Sequence, residues 1–189
     1  YKKTLDAMIR QGAVLLNAQQ LEAIKKEVFD FKDGVGCGSP VLNRKWVGAN
    51  PDALARIAGL NIDSSVEMLI AETDANDPFV QEEQMMPLLP IVRANDFSQA
   101  LSIAKQSEHG DKHSAMIHSM NVERLTQMGQ EMDTTIYVKN GPCVSGLGMG
   151  GEGFISYSIA TTTGEGITTP RTFTRYRRCT LVNNLNIVR

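Results

Sequence analysis

Apolar and polar positions along this chain keep switching between a helical period and short strand-like runs. Residues 1–9 (YKKTLDAMI) place Leu5, Met8 and Ile9 on one helix face, with no capping residue ahead of Tyr1. Asn17 with Gln20 three residues later fits a capping box, and Leu21, Ile24, Val28 and Phe29 then recur at helical spacing. Gly34, Gly36, Gly38 and Pro40 make residues 30–40 a loop. Asn50-Pro51 starts a helix that Gly59 closes as a C-cap. The runs at 66–71 (VEMLIA) and 88–92 (LLPIV) predict buried strands. Asn95 or Asp96 caps a helix carrying Phe97, Ala100, Leu101 and Ala104. Residues 115–117 predict a short strand, Asn121 caps a helix carrying Val122, Leu125 and Met128, and 135–138 predict a further strand ending at Gly141-Pro142.

Strands alternating with helices predict an α/β fold, a mostly parallel, Rossmann-like sheet flanked by helices. The tail differs. Residues 154–174 are rich in Thr, Ser and Gly with no helical period, and 179–182 read as a late strand. A strand after a long irregular arm is a common way to add an edge to a partner subunit, so residues 171–189 are expected to form a C-terminal β oligomerisation arm.

Composition narrows the picture. The chain has 189 residues, 42% hydrophobic, enough for a sizeable core. A net charge of −2 and a sequence pI near 5.9 give no sign of nucleic-acid or membrane binding. Arg171, Arg175, Arg177 and Arg178 read as a solvated or interface face. Cys37, Cys143 and Cys179 form neither a disulfide framework nor a Cys-x-x-Cys metal pair, which fits a reducing cytosol. No run is long enough to span a membrane. The chain opens in mid-helix on Tyr1 and is expected to be a piece of something longer.

Four constellations could carry chemistry. Gly146, Gly148 and Gly151 spell Gly-x-Gly-x-x-Gly, but a β-like run follows where a nucleotide loop needs a helix, and no acid lies some twenty residues on. A mobile or close-packed loop is the better reading. His109 and His113 are four apart, as in a zinc site, yet Gly110 argues against the helix such a site needs, so no metal is expected. Each histidine is either structural or a proton-transfer group. Glu82 and Glu83 stand just ahead of an apolar strand, where a carboxylate can hold a ribose; on composition they read as solvated loop acids near Glu72, Asp74 and Asp77. Met85, Met86, Met116, Met120, Met128 and Met132 are expected as core filler. Cys37 has Lys32 and Arg44 in its vicinity, Cys143 follows Gly-Pro and Cys179 follows two arginines, but none has a distinctive thiolate motif and each reads as structural or incidental.

Seven blocks in order resemble one family, the CoA-acylating aldehyde dehydrogenases of ethanolamine and propanediol utilisation. They are residues 48–59 (GANPDALARIAG), 82–92 (EEQMMPLLPIV), 108–119 (EHGDKHSAMIHS), 138–142 (VKNGP), 146–153, 164–166 (GEG) and 177–179 (RRC). The resemblance implies the reaction of a short-chain aldehyde, CoA and NAD to acyl-CoA and NADH through a cysteine thioester. It implies that Glu83 holds the nicotinamide ribose and that Met85, where the wider superfamily often has phenylalanine, packs against the cofactor. It implies that His113 assists CoA attack or proton transfer. Cys143 lies where relatives commonly show serine and is not expected to be catalytic.

The family's nucleophilic cysteine and its cofactor-binding domain are expected ahead of Tyr1. Residues 1–170 would then be the C-terminal part of a catalytic domain, inactive alone. The resemblance further implies a homo-oligomer, dimer or tetramer, in the cytoplasm or the lumen of a bacterial microcompartment. Two alternatives stay open: a hydrolytic NAD(P)-dependent aldehyde dehydrogenase, and a non-catalytic assembly or binding module.

Overall fold

The computed structural model describes residues 1–31, 40–151, 155–157, 159–160, 166–178, 180 and 182. The chain divides into two compact units, Tyr1–Ser107 and Glu108–Arg189.

The first unit contains α1 (Lys2–Arg10), β1 (Val14–Leu16), α2 (Ala18–Val28), β2 (Phe29–Asp30), β3 (Val41–Leu42), α3 (Pro51–Ile57), β4 (Leu69–Thr73), α4 (Pro78–Gln81), β5 (Leu88–Val92) and α5 (Phe97–Ser107). The capping box forms as expected: Asn17 accepts from Gln20 N at 2.9 Å and Gln20 Oε1 accepts from Asn17 N at 2.8 Å. Pro51 opens α3 and Gly59 follows its C-cap at φ +72°. Asp96, rather than Asn95, supplies the cap of α5, accepting from Gln99 N at 2.8 Å.

Strands β1, β4 and β5 make a parallel sheet in that order. Register puts Val14, Leu69 and Leu88 side by side, with Leu16 and Ala71 two residues on. These residues share one face and bury against Leu21, Ile24 and Val28 of α2 and Leu54 and Ala55 of α3. Each fully buried aliphatic side chain contributes roughly 1.5–3 kcal/mol, so this face carries the unit. On the other face Ile70 is fully buried, while Ile91 lines a shallow cavity together with Tyr1, Thr4, Leu5 and Met8 of the α1 segment. β2 and β3 form a separate antiparallel pair.

The second unit contains β6 (Ser114–Ile117), α6 (Val122–Met132), β7 (Ile136–Lys139), β8 (Ile159–Ala160) and β9 (Gly166–Ile167). β6 and β7 are parallel, and β8 and β9 are antiparallel. Asn121 caps α6, accepting from Arg124 N at 3.0 Å.

The α/β class holds, with parallel strands in both units. Several boundaries differ from the pattern. The strand expected over 66–71 runs from Leu69 to Thr73, because pairing with β5 fixes its extent. β1 was not visible, being three residues long. Methionine is not uniformly core filler: Met132 is buried, but Met85, Met116 and Met120 are exposed. Cys37, Cys179 and much of the 30–40 loop lie outside the described residues, as does Leu181 of the late strand. Among the described residues no helix is long and apolar enough to cross a membrane.

Candidate functional site

In the first unit the candidate segment begins at α4. Asp77 caps this short helix, accepting from Phe79 N at 2.9 Å, and Pro78 takes its first position. Asp77 is buried, contrary to the solvated acidic run expected around Glu72, Asp74 and Asp77. Its Oδ2 accepts from Thr73 Oγ1 at 2.7 Å and pairs with Lys25 Nζ at 2.6 Å. Lys25 also reaches Glu22 at 3.1 Å. Burial works against the ammonium charge, but the hydrogen bonds and charges of Asp77 and Glu22 outweigh it and raise Lys25 above the ordinary lysine value. Asp77-Pro78 just ahead of apolar Phe79-Val80 was the available signal for this anchor.

Glu82 ends α4 with its N–H on Pro78 O at 2.9 Å. Glu83 then stands exposed in an extended stretch. The stretch is pinned on both sides. Gln84 Nε2 donates to Phe79 O at 2.9 Å, Gly48 N donates to Met85 O at 3.0 Å, and Leu69 N donates to Pro87 O at 2.8 Å. Met85 sits in the left-handed region at φ +47° with 59% of its surface exposed. A non-glycine residue held there costs about 1–3 kcal/mol and such strain clusters at ligand sites. Glu83 has no ion-pair or hydrogen-bond partner among the described residues. A carboxylate accepts at several lone pairs, so both hydroxyls of a ribose could donate to it. It precedes β5, the opposite end of the strand from the usual carboxyl-edge ligand site of open parallel sheets.

In the second unit His113 lies immediately before β6. The turn ahead of it is tight: His109 and Lys112 have φ +56° and +54°. Glu108 closes that turn, its carboxylate accepting from Gly110 N and His113 N, both at 3.1 Å. Lys112 Nζ meets Asp133 Oδ2 at 2.5 Å across the loop. The Lys112 hydrogen bond and charge hold the Asp133 carboxyl below its usual value. His113 O accepts from Ile136 N at 3.0 Å, which ties the residue to the β6–β7 ladder. The backbone is thus fixed while the exposed ring has Nδ1 at 2.7 Å from Ser114 Oγ. The hydroxyl can donate or accept there, so either tautomer is satisfied and Nε2 can serve as acid or base. His109 and His113 do not share a helix, and no metal-binding cluster occurs among the described residues.

At the other end of the β6–β7 pair Asn140, at φ +56°, clips the loop after β6. Its Oδ1 accepts from Ser119 N at 2.8 Å and its Nδ2 donates to Ser119 O at 2.9 Å. The glycine motif that follows is a packing device. No α-helix comes after it among the described residues, and a Cβ on Gly146 would clash with Ile136 Cγ2. We expect Gly146→Val to destabilise the second unit by about 1–3 kcal/mol through overpacking, read as a fall in thermal midpoint. Cys143 opens the preceding 3-10 turn as a free, half-buried thiol with no cationic partner among the described residues. Glu83 and Met85 belong to one unit and His113 to the other.

Comparison with known proteins follows the same residues. Residues 66–154 match the model of the aldehyde dehydrogenase family. The chain is 44% identical over 178 residues to acetaldehyde dehydrogenase (acetylating) EutE of Salmonella typhimurium, covering 94% of this chain and 38% of the relative. Among solved structures it resembles a propionaldehyde dehydrogenase from the Clostridium phytofermentans fucose utilisation bacterial microcompartment, with TM-score 0.85 and 38% identity over 97% of this chain and 41% of that one. It also resembles Rhodopseudomonas palustris propionaldehyde dehydrogenase with bound CoA and an acylated cysteine, with TM-score 0.84 and 36% identity over 95% of this chain and 40% of that one. The chain spans well under half the length of these relatives.

Proposed function

This chain belongs to the aldehyde dehydrogenase family, and on that footing we propose that it serves the CoA-acylating oxidation of a short-chain aldehyde, with NAD as electron acceptor. The observation that carries the reading is the pair of fixed backbones that present Glu83 with Met85 and His113 to solvent. NAD, when bound, supplies the acceptor for a hydride; CoA takes up the acyl group.

In this reading Glu83 accepts both hydroxyls of the nicotinamide ribose, and its bracing by Gln84 and Met85 keeps the ring in one orientation. Met85 offers an exposed thioether surface for apolar contact. His113 takes the thiol proton of CoA through Nε2 as the thiolate attacks the acyl group, with Ser114 Oγ steadying the ring at Nδ1. We assign no thiol of the described residues as the nucleophile.

We further propose that residues 1–170 form the C-terminal part of a catalytic domain and 171–189 an oligomerisation arm. Exposed Phe173 and Tyr176 support that role for the arm. The assembled protein would be a homo-oligomer in the cytoplasm or a microcompartment lumen. Light scattering that finds only monomer before and after trimming 171–189 would count against the arm.

The test is a graft. This chain replaces the matching segment of the S. typhimurium relative, and NADH is followed with acetaldehyde or propionaldehyde. NADH should form only when CoA is present; equal turnover without CoA defeats the proposal. In the same graft Glu83→Gln should raise KM for NAD by about 10- to 100-fold, the worth of one or two charge-assisted hydrogen bonds.

A further inference from the structure

The turn spanning 43–48 and the Glu83–Met85 segment meet at one backbone hydrogen bond, Gly48 N to Met85 O at 3.0 Å. Beside that bond in sequence are two buried polar atoms with no partner among the described residues: Trp46 Nε1 and Gln84 Oε1. They are complementary, since an indole N–H only donates and an amide oxygen only accepts. A buried donor or acceptor left unmade is costly, and two in adjoining segments call for one explanation.

Both side chains are held. Gln84 Nε2 is fixed on Phe79 O, which sets the direction of its amide oxygen. Trp46 packs against the same core as Met86, with the Lys45 ammonium 4.7 Å from its ring centroid. The turn that carries Trp46 is itself anchored, with Asn43 N on Val28 O at 2.8 Å and Asn43 Oδ1 accepting from Lys45 N at 3.1 Å.

We propose that Trp46 and Gln84 form a latch, the indole N–H donating to one buried water that in turn donates to Gln84 Oε1, and that this latch positions Glu83 and Met85. The proposal rests on the ribose-binding reading of Glu83. A buried water with partners on two segments joins them as firmly as a direct bond. Here it doubles the Gly48–Met85 bond and holds Met85 in its left-handed backbone. Trp46 and Gln84 are therefore positioning residues that touch neither cofactor nor substrate.

Trp46 is the only tryptophan of the chain, so the indole N–H gives one resonance in a nitrogen–proton correlation spectrum. In the isolated chain, Gln84→Leu should move that resonance and speed its solvent exchange by roughly tenfold or more. Glu83→Gln, which leaves both partners of the latch in place, should preserve the protection. In the graft, Gln84→Leu should raise KM for NAD by roughly threefold to tenfold with kcat unchanged, and Trp46→Phe, which removes the indole N–H and spares Gln84 Nε2 on Phe79 O, should do the same. An indole resonance indifferent to Gln84→Leu, in a chain with unchanged circular dichroism, overturns the latch. A resonance that responds while KM stays fixed overturns the positioning role when Glu83→Gln raises KM. If Glu83→Gln also leaves KM fixed, the ribose reading has failed and the positioning role falls with it, while the latch contact stands.

Discussion

Asp77→Ala is expected to lower the stability of the first unit by about 3–5 kcal/mol, the range for removing one partner of a buried ion pair. Three losses combine. Lys25 keeps only Glu22, a carboxylate half open to solvent, as a counter-charge. Thr73 Oγ1 loses its acceptor, and Phe79 N loses its cap. Phe79 is buried with its ring 5.1 Å from that of Phe29, so the damage passes from α4 into the core. Chemical denaturation should show a lower midpoint with little change in slope. The double variant Lys25→Met, Asp77→Ala should recover only the Lys25 part of the loss, since Thr73 Oγ1 and Phe79 N still lack their acceptor. A single variant that unfolds like the parent would refute the account.

The same pair has a pH signature. Lys25 has its folded value above the ordinary lysine value of 10.5. Its contribution is complete below that unfolded value and fades as pH rises through the folded one. The parent chain should therefore lose stability on the alkaline side more steeply than Lys25→Met does, while the two curves run parallel near neutrality.

The second large effect concerns the proposed acid–base role. In the grafted enzyme His113→Ala should cut steady-state turnover by about 10²- to 10⁴-fold, the usual worth of a placed general base. The loss should fall on acyl transfer to CoA. A first-turnover burst of NADH should survive, since hydride transfer precedes the step His113 serves. The backbone contacts of residue 113 to Glu108 and Ile136 do not involve the ring. Folding should therefore be spared, and circular dichroism checks this. Loss of the burst together with turnover would move His113 to an earlier step or to a structural role.

Much of this was legible because it is local. Asn17 and Gln20, Asn50 and Pro51, and Asn121 with Val122 place helix starts through contacts within three or four residues. The run 88–92 matches β5 residue for residue, since Pro87 precedes it and the polar stretch 93–96 follows it. Long-range partners were not legible. Nothing within a few positions of Asp77 announces Lys25, fifty-two residues earlier, so burial by ion pairing was missed. Val14–Leu16 reads as a strand only once β4 lies beside it. The order β1-β4-β5 and the separate β6-β7 pair are products of tertiary pairing that periodicity does not encode. For the candidate site, Glu83, Met85 and His113 came from resemblance. The structure adds the restraint on each: left-handed Met85, the Glu108-closed turn and the Ser114 contact.

The sheet of the first unit also sets an order of assembly. β4 and β5 are joined by a short connection, whereas β1 must find β4 across α2, the β2–β3 pair and α3. Closing the longer connection costs about 1 kcal/mol more in chain entropy, since the cost grows with the logarithm of length. β1 is made before β4 and β5 yet should dock last, after those two have formed a template. Amide exchange in a refolding pulse should therefore protect Leu69, whose N–H bonds Pro87 O, ahead of Val14, whose N–H bonds Met68 O. Until that docking is done, the earliest-made strand of this sheet is the one still waiting to fold.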